Sequence, residues 1–226
     1  MENVRFRSLA LLSLLTAGPA SSAHAEFFFD FSVGAAFTQP TEVEVKDESF
    51  SPDVVVREDT TIDPSISLGL RFGNWIDPVP WLGFGFDFSY FRADGGPFDY
   101  NDVYPLTPLI MFRLPLLEAP HFPYGQVQPY AAVGPGFFFS DARVDLRPGV
   151  SERLSDSTLD VGLDARAGIA ILFHPNIGFF AEYRFTYFEQ RLEDLDDVFF
   201  DFDDIDVTSK TTFITHHVLL GITLRF

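Results

Sequence analysis

The sequence contains no cysteine, so an exported form of this chain cannot rest on a disulfide framework. It is also poor in positive charge, with 15 Lys and Arg against 33 Asp and Glu and a formal net charge of −18. That balance makes nucleic acid a poor partner, because phosphate backbones are bound through Lys and Arg. Long apolar runs are missing as well. The N-terminal run, Leu9 to Leu15, falls far short of the ~20 residues that a membrane-spanning helix requires, and no other stretch is long and apolar enough.

That short run has a different meaning. Arg5 and Arg7 precede it, and the small-residue site Ala23-His24-Ala25 follows it. This is the layout of a secretory signal peptide, with cleavage expected before Glu26. Residues 1–25 are therefore read as a leader and 26–226 as one domain. Removing Glu2, Arg5 and Arg7 leaves 32 acids and 13 bases, a net charge of −19. What the remainder has in abundance is phenylalanine, 28 residues in the whole chain, and these need somewhere apolar to go.

Residues 157–188 indicate where. Leu159, Val161, Leu163, Ala165, Ala167, Ile169, Ile171 and Phe173 alternate with Asp160, Gly162, Asp164, Arg166, Gly168 and Ala170. After a His-Pro-Asn turn, Ile177, Phe179, Ala181, Tyr183, Phe185 and Tyr187 alternate with Gly178, Phe180, Glu182, Arg184 and Thr186. Alternation of period two means strands, here much longer than the usual ~5–6 residues. One face is continuously apolar and the other carries charge. Over such lengths a lipid bilayer outside and a polar lumen inside make that pattern favourable.

Six further segments follow the same rule, near Phe27–Thr38, Ser65–Gly73, Leu82–Tyr90, Leu106–Leu114, Val127–Phe139 and Ile214–Phe226. The expected fold is all-β, an eight-stranded antiparallel up-and-down transmembrane β-barrel. The connections alternate between short turns, such as 76–80 and 174–176, and long polar loops, such as 40–61 and 189–210. These predict the periplasmic and extracellular sides. The join 116–125 is long for a periplasmic turn. The fifth strand carries Pro129 and Pro135, and Gly134-Pro135-Gly136 predicts a bulge that leaves the facing of Phe137 to Phe139 open by one step.

The inward set holds Asp30, Asp87, Asp160, Asp164 and Glu182 together with Arg71, Arg113, Arg166, Arg184 and Arg225, five acids and five bases. An eight-stranded barrel has room inside for its own side chains. Near-neutrality favours a structural ionic plug, since unpaired buried ions are costly; the other reading is a narrow ion path. The outward set has no charge at mid-height. Arg92 and His216 are polar exceptions near the upper strand ends, and Trp75, Trp81 and Phe226 below with Tyr90 and Tyr187 above are expected to form the two aromatic girdles. The acids of loops 40–61 and 189–210 read as a solvated, repulsive surface, or as divalent-cation sites that bridge to lipopolysaccharide. Asp201, Asp203, Asp204 and Asp206 lack the Gly and the distal Glu of an EF-hand loop.

WLGFGFDFSYFRA, PYAAVGPGFFF, DVGLDARAGIAILFHPNIGFFAEYRFTYF and the terminal HHVLLGITLRF resemble the small eight-stranded outer-membrane β-barrel family. That group includes outer-membrane protein A-type transmembrane domains and opacity-type surface proteins. The resemblance implies residence in the bacterial outer membrane. It also implies that Phe226, preceded by alternating apolar residues, is the insertion signal read by the barrel-assembly machinery. The sequence stops at the eighth strand, so wall tethering through a peptidoglycan-binding domain is not expected. Such motifs specify architecture better than activity.

The function expected is a structural or surface-interaction role, without catalysis or cofactor. The partners expected are outer-membrane lipid and lipopolysaccharide, with divalent cations at the loops, and the barrel is expected to be a monomer. A small pore is the second reading. A lipid A-modifying enzyme built on His216, His217 and Ser209 is a third, but no G-x-S-x-G motif is present. A soluble lipocalin-like barrel would turn its apolar face inward, against the pattern here. Intact-mass analysis of protein extracted from outer membranes should give a chain starting at Glu26; a mass retaining residues 1–25 would exclude the leader.

Overall fold

The computed structural model describes residues 26–39, 43–47, 63–77, 79–93, 100–145, 153–192 and 207–226. Within them are nine strands: β1 Glu26–Thr38, β2 Val43–Asp47, β3 Ser65–Ile76, β4 Val79–Arg92, β5 Tyr100–Arg113, β6 Val127–Asp145, β7 Arg153–His174, β8 Ile177–Leu192 and β9 Val207–Arg225. Eight of them, all but β2, form an antiparallel meander, and β1 pairs back onto β9 from Phe28↔Arg225 to Thr38↔Thr215. The sheet is thus a closed eight-stranded barrel. The short β2 lies within the segment expected as one long loop and pairs with Val207–Thr211 at the upper end of β9.

The strands are unequal. β6, β7 and β9 run for 19, 22 and 19 residues, while β1 and β3 run for 13 and 12. At ~3.3 Å per residue and a tilt of ~45°, the longest rises roughly 50 Å, about twice the ~25 Å apolar band of an outer-membrane barrel. One side of the barrel therefore stands well above the membrane.

Period two decides the two faces. Phe29, Phe31, Phe72, Phe84, Phe86, Phe88, Ile171 and Phe179 point outward and are exposed, as residues that meet lipid must be. Charged and hydroxyl side chains of the alternate set are buried inside. Trp75 corrects the expected lower girdle. It shares parity with Arg71 and Gly73, so it points into the barrel and is 2% exposed, whereas Trp81 and Phe226 are exposed.

The Gly134-Pro135-Gly136 bulge is also corrected. The β6–β7 register runs unbroken from Val127↔Ile171 to Asp145↔Arg153. On the other side, β5 and β6 pair at Leu106↔Phe137 and again at Ile110↔Val133, in the same register, with Pro108 directly opposite Pro135. Each proline lacks the N–H that its partner's carbonyl would accept. Both missing donors thus fall on one residue pair, and the ladder is interrupted without shifting. A Cβ on Gly134 would overlap the Pro108 carbonyl, so glycine is required where the strands close over this gap. Phe138 faces inward and is fully buried, and Phe139 faces out.

The β5–β6 seam is the weakest line of the wall by this reasoning. Two absent bonds, at about 1 kcal/mol each, should make the amides of Leu106, Ile110, Val133 and Phe137 exchange at least about tenfold faster than those of Ala132 and Phe138 on the β7 side. Hydrogen exchange by NMR in nanodiscs measures this; equal protection on both sides of β6 would contradict it.

Candidate functional site

Among the described residues the barrel interior is filled in layers. At mid-height, β1, β3 and β4 align Asp30, Arg71 and Asp87 across one row of the ladder. On the opposite wall, Arg166, Arg184 and His217 are aligned across β7, β8 and β9. Like charges directly opposite on neighbouring strands repel, so Arg166 and Arg184 need an anion between them. Asp164 supplies it, with Oδ2 at 2.8 Å from Arg166 Nη2 and 2.7 Å from Arg184 Nη2. Asp87 joins from across the lumen, 2.7 Å from Arg166 and 3.5 Å from Arg184. Thr107 donates a further hydrogen bond to Asp164 at 3.2 Å.

Arg71 completes this level. It pairs with Asp30 at 2.8 Å and with Glu182 at 2.5 Å, and it lies over the ring of Tyr130. The Tyr130 hydroxyl donates to Glu182 at 2.7 Å. Asp30, Asp87, Asp164 and Glu182 thus meet Arg71, Arg166 and Arg184, all almost completely buried.

The lower level belongs to Arg113 and Arg225. Arg113 pairs with Glu26 at 2.6 Å, donates to the Pro80 carbonyl at 2.7 Å and lies 4.4 Å above the Trp75 ring. Arg225 stands 3.7 Å from Glu26 and packs over Phe28. The long 114–126 connection caps this end. Gln128 donates to the carbonyls of Tyr124 and Gly125, and Gly125 adopts a positive φ of 85° that suits glycine. Beside Asp77, which accepts its hydroxyl at 3.4 Å, Tyr124 has its pKa raised, chiefly by partial burial and then by the Asp77 charge.

Above the ions is an apolar layer, itself topped by the buried polar pair Asn101 and Gln190, where the Asn101 amide donates to Gln190 at 2.9 Å. Phe91, Val103, Phe138, Phe188 and Phe213 are buried together inside the barrel. Phe138 stacks on Phe188 at 4.3 Å and Phe188 on Phe213 at 5.0 Å. Between this layer and the ions sits His217, fully buried, 3.1 Å from Ser67 Oγ and 3.3 Å from Thr186 Oγ1, edge-on to Phe91.

Of the ten inward charges expected from sequence, the structure brings nine into the two ionic levels. Asp160 is half-buried near the upper end, where Thr158 Oγ1 donates to it at 2.8 Å. Glu26 takes the tenth place, so the buried set still has five acids and five bases. Its parity with Phe28 and Asp30 was the available signal. Tyr130 was hidden by the uncertainty over the fifth strand, and the aromatic layer by the weight given to outward phenylalanines. His216 and His217, as neighbours in a strand, face opposite sides. His216 is outside, bonded to Gln39 at 2.9 Å and Tyr183 at 2.5 Å, so the two histidines cannot share a site. Arg92 is paired outside with Asp102 at 2.7 Å. The side chain of Ser209, the acids of 189–206 in the last loop apart from Glu189, and those of 40–61 lie outside the described side chains, as do residues 1–25, expected as a leader.

A closed eight-stranded barrel, lipid-facing phenylalanines and a buried ionic interior define an outer-membrane architecture, and the sequence matches the outer membrane protein beta-barrel domain over residues 8–226. The chain belongs to that family. It is a bacterial outer-membrane protein. Among solved structures it is similar in fold to Neisserial surface protein A, with a TM-score of 0.53 and 13% identity over 91% of this chain and 100% of that one. It is likewise similar to the outer membrane protein OprG from Pseudomonas aeruginosa, with a TM-score of 0.54 and 13% identity over 90% and 98%. No curated protein sequence matches.

Asp164 holds two arginines that would otherwise repel inside the barrel. Asp164→Ala should destabilise the fold by about 3–5 kcal/mol, the usual result of breaking a buried pair. Arg92→Ala, which breaks a part-exposed pair, should cost under about 1 kcal/mol. Urea unfolding in lipid vesicles compares them; equal effects would show that the lumen network does not hold the barrel together.

Proposed function

We propose that this protein is a closed outer-membrane barrel with a structural or surface-interaction role, and that its lumen does not conduct. The observation that carries this reading is the stacking of two unlike seals. The Asp87–Arg166–Asp164–Arg184 cluster fills the middle of the lumen. Phe138, Phe188 and Phe213 close it above. An ion passing through would have to displace paired charges and then cross an apolar layer, each costly for the reasons that govern buried ions.

The parts that stand free of the seal support an outward role. β6, β7 and β9 extend beyond the span that the bilayer needs. The loop sequences that join the upper strand ends carry most of the acid excess. In the proposed role these loops act at the cell surface, where carboxylates suit calcium or magnesium bridging to lipopolysaccharide. Residues 1–25 serve as the export leader, and the mature barrel is monomeric.

Planar-bilayer recording tests the seal. The wild-type protein should give no stable conductance steps. Stable channels that disappear in Arg184→Ala or Glu182→Ala would establish a pore instead. Calcium-dependent capture of lipopolysaccharide by the detergent-extracted protein tests the surface role, and the same binding in EDTA would remove the cation bridge.

A further inference from the structure

His217 is the one buried histidine among the described residues, and the five buried acids and five arginines balance without it. It stands where the two seals of the lumen meet. On one side are Arg166 and Arg184, aligned with it across β7, β8 and β9. On the other is Phe91 of the apolar layer, whose ring meets the imidazole edge-on at 4.9 Å and 82°. One ring nitrogen is 3.1 Å from Ser67 Oγ on β3, and the other is 3.3 Å from Thr186 Oγ1 on β8. The ring thus ties β3, β8 and β9 together beneath the phenylalanines.

An uncharged imidazole offers one donor and one acceptor, and a hydroxyl can take either part, so both contacts are satisfied. An imidazolium offers two donors. The hydroxyl that gave its hydrogen to the ring then loses that acceptor. The added charge is also unmatched. Arg184 on β8 stands directly opposite His217 in register, where like charges repel. Arg166 on β7 adds to the repulsion. Asp87 on β4 attracts, but it already lies 2.7 Å from Arg166 and 3.5 Å from Arg184. Asp164 on β7 is held between the same two arginines. His216, next in the chain, faces the outer surface and bonds to Tyr183 there. β3 and β1 place Ser67 and Ala36 beside His217, neither of them ionisable. A further buried charge in this setting lacks a counter-ion, which is costly.

We propose that His217 is an acid-sensitive latch on the lumen. Uncharged, it holds the ionic level and the aromatic layer together. Protonated, it is driven away from Arg184, unseats Phe91 and lets ions pass. The latch rests on the sealed-lumen reading above and adds its regulation.

Planar-bilayer recording of the full barrel tests it at about pH 7.5 and about pH 4.5, either side of the ordinary histidine value of about 6.5. The wild type should be silent at the higher pH and open at the lower, with an open probability at least about tenfold greater. His217→Gln keeps a side chain that can bond Ser67 and Thr186 but cannot charge, and it should stay silent at both. His216→Gln, on the outer face, should open like the wild type. Steps in His217→Gln at the lower pH would assign the opening to carboxylates such as Asp87 and overturn the latch, as would an acid response lost in His216→Gln. Silence of the wild type at both pH values would overturn the latch and leave the sealed lumen standing. Steps already present at the higher pH would overturn the sealed lumen, and the latch with it. If His217→Gln does not fold, ring-nitrogen NMR of the wild type in nanodiscs decides. His217 must gain its second proton over the range in which channels open, and a ring that stays uncharged there overturns the proposal.

Discussion

Every backbone N–H and C=O that enters hydrocarbon needs a partner within the protein, and this requirement shapes the whole molecule. An open sheet leaves two edges unpaired, so β1 must return to β9. Closure with eight strands then sets a narrow bore. The inward residues of eight strands have to share that bore, and charged ones can do so only when paired. The ionic network therefore follows from closure.

The network is organised by sign. Arg166 and Arg184 face each other across neighbouring strands, an arrangement that would be unfavourable without Asp164 between them. Asp87 reaches the same pair from the other wall, and Arg71 links Asp30 to Glu182. The mid-level carries four acids against three arginines, and the lower level two arginines against one acid. Among the described residues the buried charges are balanced in total, with the surplus acid at mid-height and the surplus arginine below it. The acid excess of the chain is left to the loops.

The wall is less uniform than the lumen. Pro108 opposite Pro135 concentrates two missing donors at one place between β5 and β6, while β6–β7 pairs without interruption along its length. Concentrating them keeps the register intact on both sides. Scattering the same prolines along the strand would have weakened several pairs and exposed more carbonyls to lipid.

Period-two alternation alone was enough to determine the eight strands, the lipid-facing side and most of the buried charges, because parity is a property of the chain and needs no partner. Asp30, Arg71, Arg113, Arg184 and Arg225 were legible for that reason, and the same parity held for Glu26 and Trp75, where assumptions about a cleavage site and a girdle obscured it. Other features depended on the neighbours. The unbroken register at Pro135 is decided by Pro108 on the adjacent strand. The joining of Asp164 to both Arg166 and Arg184, the phenylalanine stack and the seating of His217 between Ser67 and Thr186 arise from residues on strands far apart in sequence. Parity says which side of the wall a residue occupies. Only the stagger of the closed barrel decides its height in the lumen, and so which side chain it meets.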